Sequence, residues 1–250
     1  TGTITDNDAA PVFSVADASI SEGGLMSFTV TRTGDAQAAQ SVNFATSIAG
    51  GNSASSGDFS ASSGSLSFAQ GETSKTFTVQ TTHDTLFEGN ETFTVTLSGA
   101  TAGATVSATQ GAATGTIVDN DGTPTITHVG DGSINNVTVA EGTAALFTVN
   151  LSNASSTATA FALTLANGSA TAPGDYTHAL SDASFSNGVT ISGGTITVPA
   201  GVTSFTVTVP SVNDTLYETS EDFTLSVGGV SGTGTITDND AAPVFSVADA

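Results

Sequence analysis

Apolar residues alternate with threonine and serine in short runs along the whole chain. The clearest runs lie at residues 77–79, 93–97, 205–209 and 223–227. A period of two places successive side chains on opposite faces, so each run predicts a strand with one buried face. About seven such strands, joined by connections rich in Gly, Ser and Asn, fall within each half of the chain. This pattern predicts an all-β fold of two tandem Greek-key or immunoglobulin-like β-sandwiches.

Internal repeats divide the chain. Residues 1–18 are identical to residues 233–250, and the tripeptide Asp-Asn-Asp recurs at 6–8, 119–121 and 238–240, each time with Pro three residues after its last Asp. Repeats of this kind indicate an extended end-to-end array within a longer protein. The predicted divisions are 1–8, the end of a preceding repeat; 9–122, the first sandwich; 123–240, the second; and 241–250, the first strand of a further repeat.

The charge balance restricts the kinds of partner. The chain has 23 acidic residues against two basic ones, a net charge of −21, and no Cys. Such a surface repels phosphate backbones and anionic lipids, so we expect no nucleic-acid partner and no membrane insertion. High charge alone would favour disorder, but 38% of the residues are hydrophobic and they follow strand patterns, so we expect a folded protein.

The acidic residues are concentrated at corresponding points of the two halves. Each half has a Glu-Gly turn, a Gly-Asp-Phe/Tyr motif, the stretch Asp-Thr-Leu-Phe/Tyr-Glu-x-x-Glu between two strands, and a closing Asp-Asn-Asp. Crowded carboxylates repel one another unless a cation lies between them, and oxygen-only ligands favour calcium. A solvated acidic loop without any ion is the alternative, and the duplicated spacing weighs against it. The candidates are Glu22, Asp58, Asp84, Glu88, Glu91, Asp119 and Asp121, then Glu141, Asp175, Asp214, Glu218, Glu221, Asp238 and Asp240.

Together these motifs resemble the Calx-β domain, a family known from sodium–calcium exchangers and large bacterial surface proteins. The resemblance covers both halves and implies that the carboxylates above ligate Ca2+ in loops at one end of each sandwich. The backbone carbonyls of Leu86 and Leu216 are further ligands by the same resemblance. His83 and Asn213 depart from the pattern, because the family often has Asp at these positions. Fewer anionic ligands predict weaker calcium binding.

The resemblance implies a structural function rather than an enzymatic one. We expect calcium-binding spacer repeats of a long, secreted, RTX-type bacterial adhesin at the cell surface. Calcium at the inter-domain junctions would stiffen a monomeric rod whose partners are neighbouring repeats of the same chain. Two alternatives stay open: a calcium-sensing regulatory module, and a module that itself binds a glycan or a protein.

Other metal and catalytic chemistry has weaker support. Asp119-Asn-Asp-Gly122 begins like an EF-hand loop, but its twelfth position is Gly130 instead of the bidentate Glu. The three His residues lack Cys or paired-His spacing, which argues against zinc. A carboxylate pair could hydrolyse glycosides, but we expect no acid in an apolar setting that would raise its pKa.

Overall fold

A computed structural model describes residues 2, 8–132, 135–177 and 179–247. The described residues form strands and no helix, and none of them could cross a membrane as a helix. The chain separates into two compact units, Thr1–Asp121 and Gly122–Ala250. The predicted all-β fold of two tandem sandwiches is confirmed.

The first unit has two sheets, in the orders β6-β3-β1-β8 and β2-β9-β7-β4-β5. Its entering segment divides between them: β1 pairs antiparallel with β3, whereas β2 pairs parallel with β9. This entering segment therefore connects the two sheets. The strands are β1 (Val12–Val15), β2 (Ala18–Ser21), β3 (Leu25–Thr33), β4 (Gln40–Ser47), β5 (Ser63–Phe68), β6 (Ser74–Gln80), β7 (Glu91–Ser98), β8 (Thr105–Val106) and β9 (Ala112–Val118).

The second unit repeats this plan, with sheet orders β10-β12-β17-β14 and β11-β19-β18-β13-β16-β15. Here β10 pairs antiparallel with β12, as β1 does with β3, and β11 pairs parallel with β19, as β2 does with β9. The strands are β10 (Ile126–Gly130), β11 (Asn136–Ala140), β12 (Ala145–Leu151), β13 (Thr159–Asn167), β14 (Ser184–Phe185), β15 (Thr190–Ser192), β16 (Thr195–Val198), β17 (Ser204–Val209), β18 (Glu221–Val227) and β19 (Val230–Thr237).

Alternation along the strands produces the core of each unit. In β7, Phe93, Val95 and Leu97 are buried, while the threonines between them face outward. In β18, Phe223, Leu225 and Val227 are buried in the same register. The predicted strands at 93–97 and 223–227 are confirmed.

The predicted divisions at the two ends of the chain lie partly outside the described residues. Residues 1 and 3–7, from the predicted end of a preceding repeat, and 248–250 lie outside the described residues. Residues 241–247 form no strand among those described, and Val244, Phe245 and Val247 are almost fully exposed. The assignment of 241–250 to a further repeat stays a prediction.

Candidate metal centre

The predicted carboxylates come from loops that meet at one end of each sandwich. In the first unit these loops follow β2, connect β4 to β5, connect β6 to β7, and follow β9. One small cavity is lined there by Glu22, Asp58, Asp84, Glu88, Glu91 and Asp119. Its counterpart in the second unit is lined by Glu141, Asp175, Asp214, Glu218, Glu221 and Asp238.

Within each unit the ligand-type atoms form two tight groups, each with all atoms within 4.8 Å of one another. We call the first the loop cluster, since two of its members lie where the β6–β7 or β17–β18 connection, which passes from one sheet to the other, meets the following strand. We call the second the turn cluster, since it contains the glutamate of the Glu-Gly turn. The loop clusters are Asp58, Glu88 and Glu91, and Asp175, Glu218 and Glu221. The turn clusters are Glu22, His83 and Asp121, and Glu141, Asp238 and Asp240.

Buried aromatic residues hold the aspartate of each Gly-Asp-Phe/Tyr motif in place. Phe59, next to Asp58, is buried and stacks on Phe93 of β7 with ring centroids 4.2 Å apart. In the second unit Tyr176 stacks on Phe223 at 4.5 Å. The backbone carbonyl of Asp58 also accepts a hydrogen bond from the N–H of Thr82 at 2.8 Å. The sandwich core therefore fixes the position of this carboxylate.

Two further aspartates are held by backbone N–H groups. Asp84 Oδ1 accepts from the N–H of Leu86 at 2.8 Å, and Asp214 Oδ1 accepts from that of Leu216 at 2.7 Å. These Asx turns order the first residues of each acidic stretch. The Leu86 and Leu216 carbonyls stay predicted ligands.

Asp119 connects the acidic stretch to the end of β9. Its Oδ2 accepts from the N–H groups of Glu88 at 3.0 Å and Gly89 at 2.8 Å, and its Oδ1 accepts from Asp121 N–H at 2.8 Å. Burial alone would raise the pKa of Asp119, but these three hydrogen bonds bring it below the usual value. Asp119 is therefore held as a carboxylate. In the second unit, Asp238 accepts from Glu218 N–H at 2.9 Å.

The glutamates that begin β7 and β18 have strongly raised pKa values. Burial, a hydrogen bond with Asp58 and the neighbouring negative charges raise the pKa of Glu91 to about 8. Burial, a hydrogen bond with Asp175 and nearby carboxylates raise the pKa of Glu221 to about 7. The expectation that no acid would have a raised pKa is thus wrong. The sequence carried the signal, because Glu91 precedes Phe93 by two residues and so lies on the inward face of β7.

The turn clusters contain buried oxygens that no other group satisfies. Oδ2 of Asp121, Oε1 of Glu141 and Oδ2 of Asp240 are buried without a hydrogen-bond partner. Glu141 as a whole is only 8% exposed. Buried carboxylate oxygens without partners are costly in a folded protein, and a bound cation removes that cost. The donor set of carboxylate oxygens fits Ca2+.

The structure brings together all the carboxylates predicted as ligands, in the two clusters or in the cavity that they line. It also adds His83 to the turn cluster of the first unit, whereas from the sequence we took this residue as the loss of an acid and argued against it as a zinc ligand. The sequence signal was its position directly before Asp84, where Asp is frequent in the family that the motifs resemble.

Comparisons with known proteins found a family profile and several solved structures that resemble the chain. The Calx-beta domain profile matches residues 6–121 and 133–244. A comparison with curated protein sequences gave no match. Among solved structures, the apo form of the Calx CBD1 domain is 25% identical, with a TM-score of 0.41, over 45% of this chain and 100% of that one. CBD12 from CALX1.2 is 21% identical, with a TM-score of 0.41, over 88% of this chain and 79% of that one. The calcium binding domain CBD12 of CALX1.1 is 19% identical, with a TM-score of 0.40, over 88% and 80%.

Proposed function

The chain belongs to the Calx-beta family, and on that premise we propose that each of its two units binds Ca2+ at the acidic end of its sandwich. The ligands are drawn from the seven carboxylates that converge there in each unit, fourteen in all. The activity is binding rather than catalysis, because both units present the same acidic end in place of one specialised cleft.

One observation carries this proposal. The same six-carboxylate cavity occurs in both units, although the loops between its members differ in length. Asp58 and Asp84 are 26 positions apart, whereas Asp175 and Asp214 are 39 apart. A solvated acidic loop would not require the same carboxylates to converge in both units. It would also not require buried oxygens without hydrogen-bond partners in each unit. A divalent cation accounts for both features.

Calorimetric titration of the untagged, metal-free chain with Ca2+ tests the proposal. We expect saturable binding with a dissociation constant of about 10⁻⁴ to 10⁻³ M, the range of extracellular modules. Replacing Asp58 and Asp175 by Asn should weaken binding in both units. Asp35→Asn is the matched control, since Asp35 belongs to neither cluster. No binding in the original chain, or equal loss in the control, would refute the proposal.

We further propose that the chain is a spacer in a secreted bacterial surface adhesin and that calcium stiffens it. Support comes from the tandem units, from the identity of residues 1–18 with 233–250, and from Asp121, which directly precedes the first residue of the second unit. Its partners are then neighbouring repeats of the same chain. Small-angle scattering of the whole chain should give a larger maximum dimension in Ca2+ than in EDTA, and equal dimensions would contradict the stiffening.

The same titration separates a spacer from a calcium sensor. A sensor of cytosolic signals requires a dissociation constant near 10⁻⁷ to 10⁻⁵ M. His83 and Asn213 replace acids that would strengthen binding, which favours the weaker range. Submicromolar affinity would favour the sensor instead. Direct glycan binding has less support, because the chain has two Tyr and no Trp to form a stacking surface.

A further inference from the structure

The turn clusters of the two units differ at one corresponding position, His83 in the first and Asn213 in the second. The backbone places both residues in the same way. Gly23 N–H donates to the Thr82 carbonyl at 3.1 Å, and Gly142 N–H donates to the Val212 carbonyl at 3.2 Å. A Cβ added to Gly23 would lie 2.9 Å from the Cβ of His83, and one added to Gly142 would lie 2.9 Å from the Cβ of Asn213. The glycine turn thus holds each residue against its cluster.

The side chains at this position have different partners. Nδ1 of His83 lies 3.2 Å from Oε1 of Glu22. One ligand atom from each of Glu22, His83 and Asp121 lies within 4.8 Å of the other two. Oδ1 of Asn213 instead accepts a hydrogen bond from the Asn239 amide at 3.0 Å. Among the described residues, the turn cluster of the first unit thus includes an imidazole nitrogen and that of the second does not.

Two observations indicate a ligand at the first-unit cluster. The Glu22 side chain is 9% exposed, so its charge is largely withdrawn from water. Oδ2 of Asp121 is buried and has no hydrogen-bond partner. His83 is 54% exposed, which leaves a route from solvent to the three ligand atoms.

We propose that Glu22, His83 and Asp121 form a site for a divalent ion of the zinc class. Imidazole nitrogen suits Zn2+ and its neighbours in the first transition series, whereas Ca2+ takes oxygen ligands. Metal–ligand bonds of about 2.0–2.2 Å place adjacent ligands roughly 3.0–3.5 Å apart in octahedral or tetrahedral geometry. The 3.2 Å between Nδ1 and Oε1 falls within that range. Two carboxylates and a neutral imidazole balance the charge of the ion, and water completes its coordination.

This inference revises the sequence-based expectation against zinc, which rested on the absence of Cys and of paired His. It also deepens the proposed function, since it rests on the acidic ends being metal sites and gives one cluster a different ion. The loop clusters, and the turn cluster of Glu141, Asp238 and Asp240, keep oxygen ligands only. The chain then carries two metal chemistries in units of the same fold.

The test uses the untagged full chain, in millimolar Ca2+, titrated with Zn2+ by calorimetry and with Co2+ by visible absorption. Two variants exchange the residues between the units: His83→Asn and Asn213→His. Nitrogen-detected NMR of the imidazole rings identifies which of the three histidines binds. Calcium titrations of the same samples report separately on the proposed function and on folding.

We expect one Zn2+ per original chain, a shift of the His83 ring nitrogens alone, and Co2+ absorption bands typical of mixed nitrogen and oxygen ligation. His83→Asn should weaken Zn2+ binding about tenfold or more, and Asn213→His should create a second site. Equal Zn2+ affinity in His83→Asn, displacement of Zn2+ by millimolar Ca2+, or no second site in Asn213→His would overturn the proposal. Loss of calcium binding in the original chain would instead refute the proposed function.

Discussion

The ring of Phe59 lies on the ring of Phe93, with their planes 19° apart, and joins the acidic end of the first unit to its core. Asp58 is the residue before Phe59, so the stack fixes the carboxylate that raises the pKa of Glu91. Gly115 on β9 makes room for this arrangement, because a Cβ there would lie 2.4 Å from Phe93. Gly234 and Phe223 are related in the same way at 2.3 Å. In both units, therefore, the aromatic stack that fills part of the core also positions the neighbouring aspartate.

Phe59→Ala should weaken both folding and calcium binding. Removing a buried Phe costs about 3–5 kcal/mol of unfolding free energy, and the loop that carries Asp58 loses its anchor. The matched change in the second unit is Tyr176→Phe, which keeps the ring and removes the hydrogen bond from the hydroxyl to Asn167 Oδ1 at 2.7 Å. It should cost about 1 kcal/mol with calcium affinity unchanged. Denaturant unfolding and calorimetry measure both quantities, and normal calcium affinity in Phe59→Ala would show that the stack does not place Asp58.

Gly115→Ala should destabilise the first unit by about 1–3 kcal/mol, because the new methyl group forces Phe93 out of its position. Gly122→Ala is the control, since a Cβ there meets no atom within 4 Å. Thermal unfolding compares the two variants. Equal melting temperatures would mean that Phe93 accommodates the methyl group without loss.

Glu91→Gln should stabilise the metal-free chain and weaken calcium binding. With a pKa of about 8, Glu91 is mostly protonated in the folded metal-free chain at neutral pH, and this protonation costs free energy because an ordinary carboxyl is ionised there. Gln resembles the protonated side chain without that cost, but it cannot supply the anionic oxygen that Ca2+ binds. We expect a higher melting temperature without metal and calcium affinity lower by about tenfold. Glu72→Gln is the matched control, because Glu72 pairs with Lys75 at 3.1 Å and lies outside both clusters. A lower melting temperature for metal-free Glu91→Gln would show that Glu91 does not destabilise the folded chain in the absence of metal.

The metal-free chain should lose stability as the pH rises from about 5 to 8. The pKa values of Glu91, about 8, and Glu221, about 7, are raised in the folded state above the ordinary 4.5. The folded state therefore binds more protons than the unfolded state in this interval, so unfolding becomes easier as the protons leave. Calcium should reverse the trend and release protons on binding. Melting curves of dialysed, metal-free protein across this interval check the sign, and a midpoint that rises with pH would contradict it.

The sequence predicted those features of the fold that repeat along the chain. Runs such as 93–97 and 223–227 revealed their strands because every second side chain enters the core. The short strands β8, β14 and β15 were not predicted, since two or three residues do not establish a period. Their pairing depends on neighbouring strands rather than on their own pattern.

The candidate site was predictable in its members but not in its grouping. Acid spacing indicated which carboxylates meet, because loops at the same end of a sandwich converge. The division into loop and turn clusters depends on contacts between distant residues, such as His83 with Glu22 across 61 positions. The burial of Glu91 followed from strand register, and the pKa that it produces required the neighbouring charges of Asp58 and Glu88.

The most direct test is a crystal structure of this chain grown in millimolar Ca2+, with an anomalous-difference map collected where calcium scatters strongly. We predict peaks within bonding distance of Asp58, Glu88 and Glu91, and of Asp175, Glu218 and Glu221, at about 2.3–2.6 Å from the carboxylate oxygens. A well-ordered structure with no anomalous peak at either loop cluster would contradict the account.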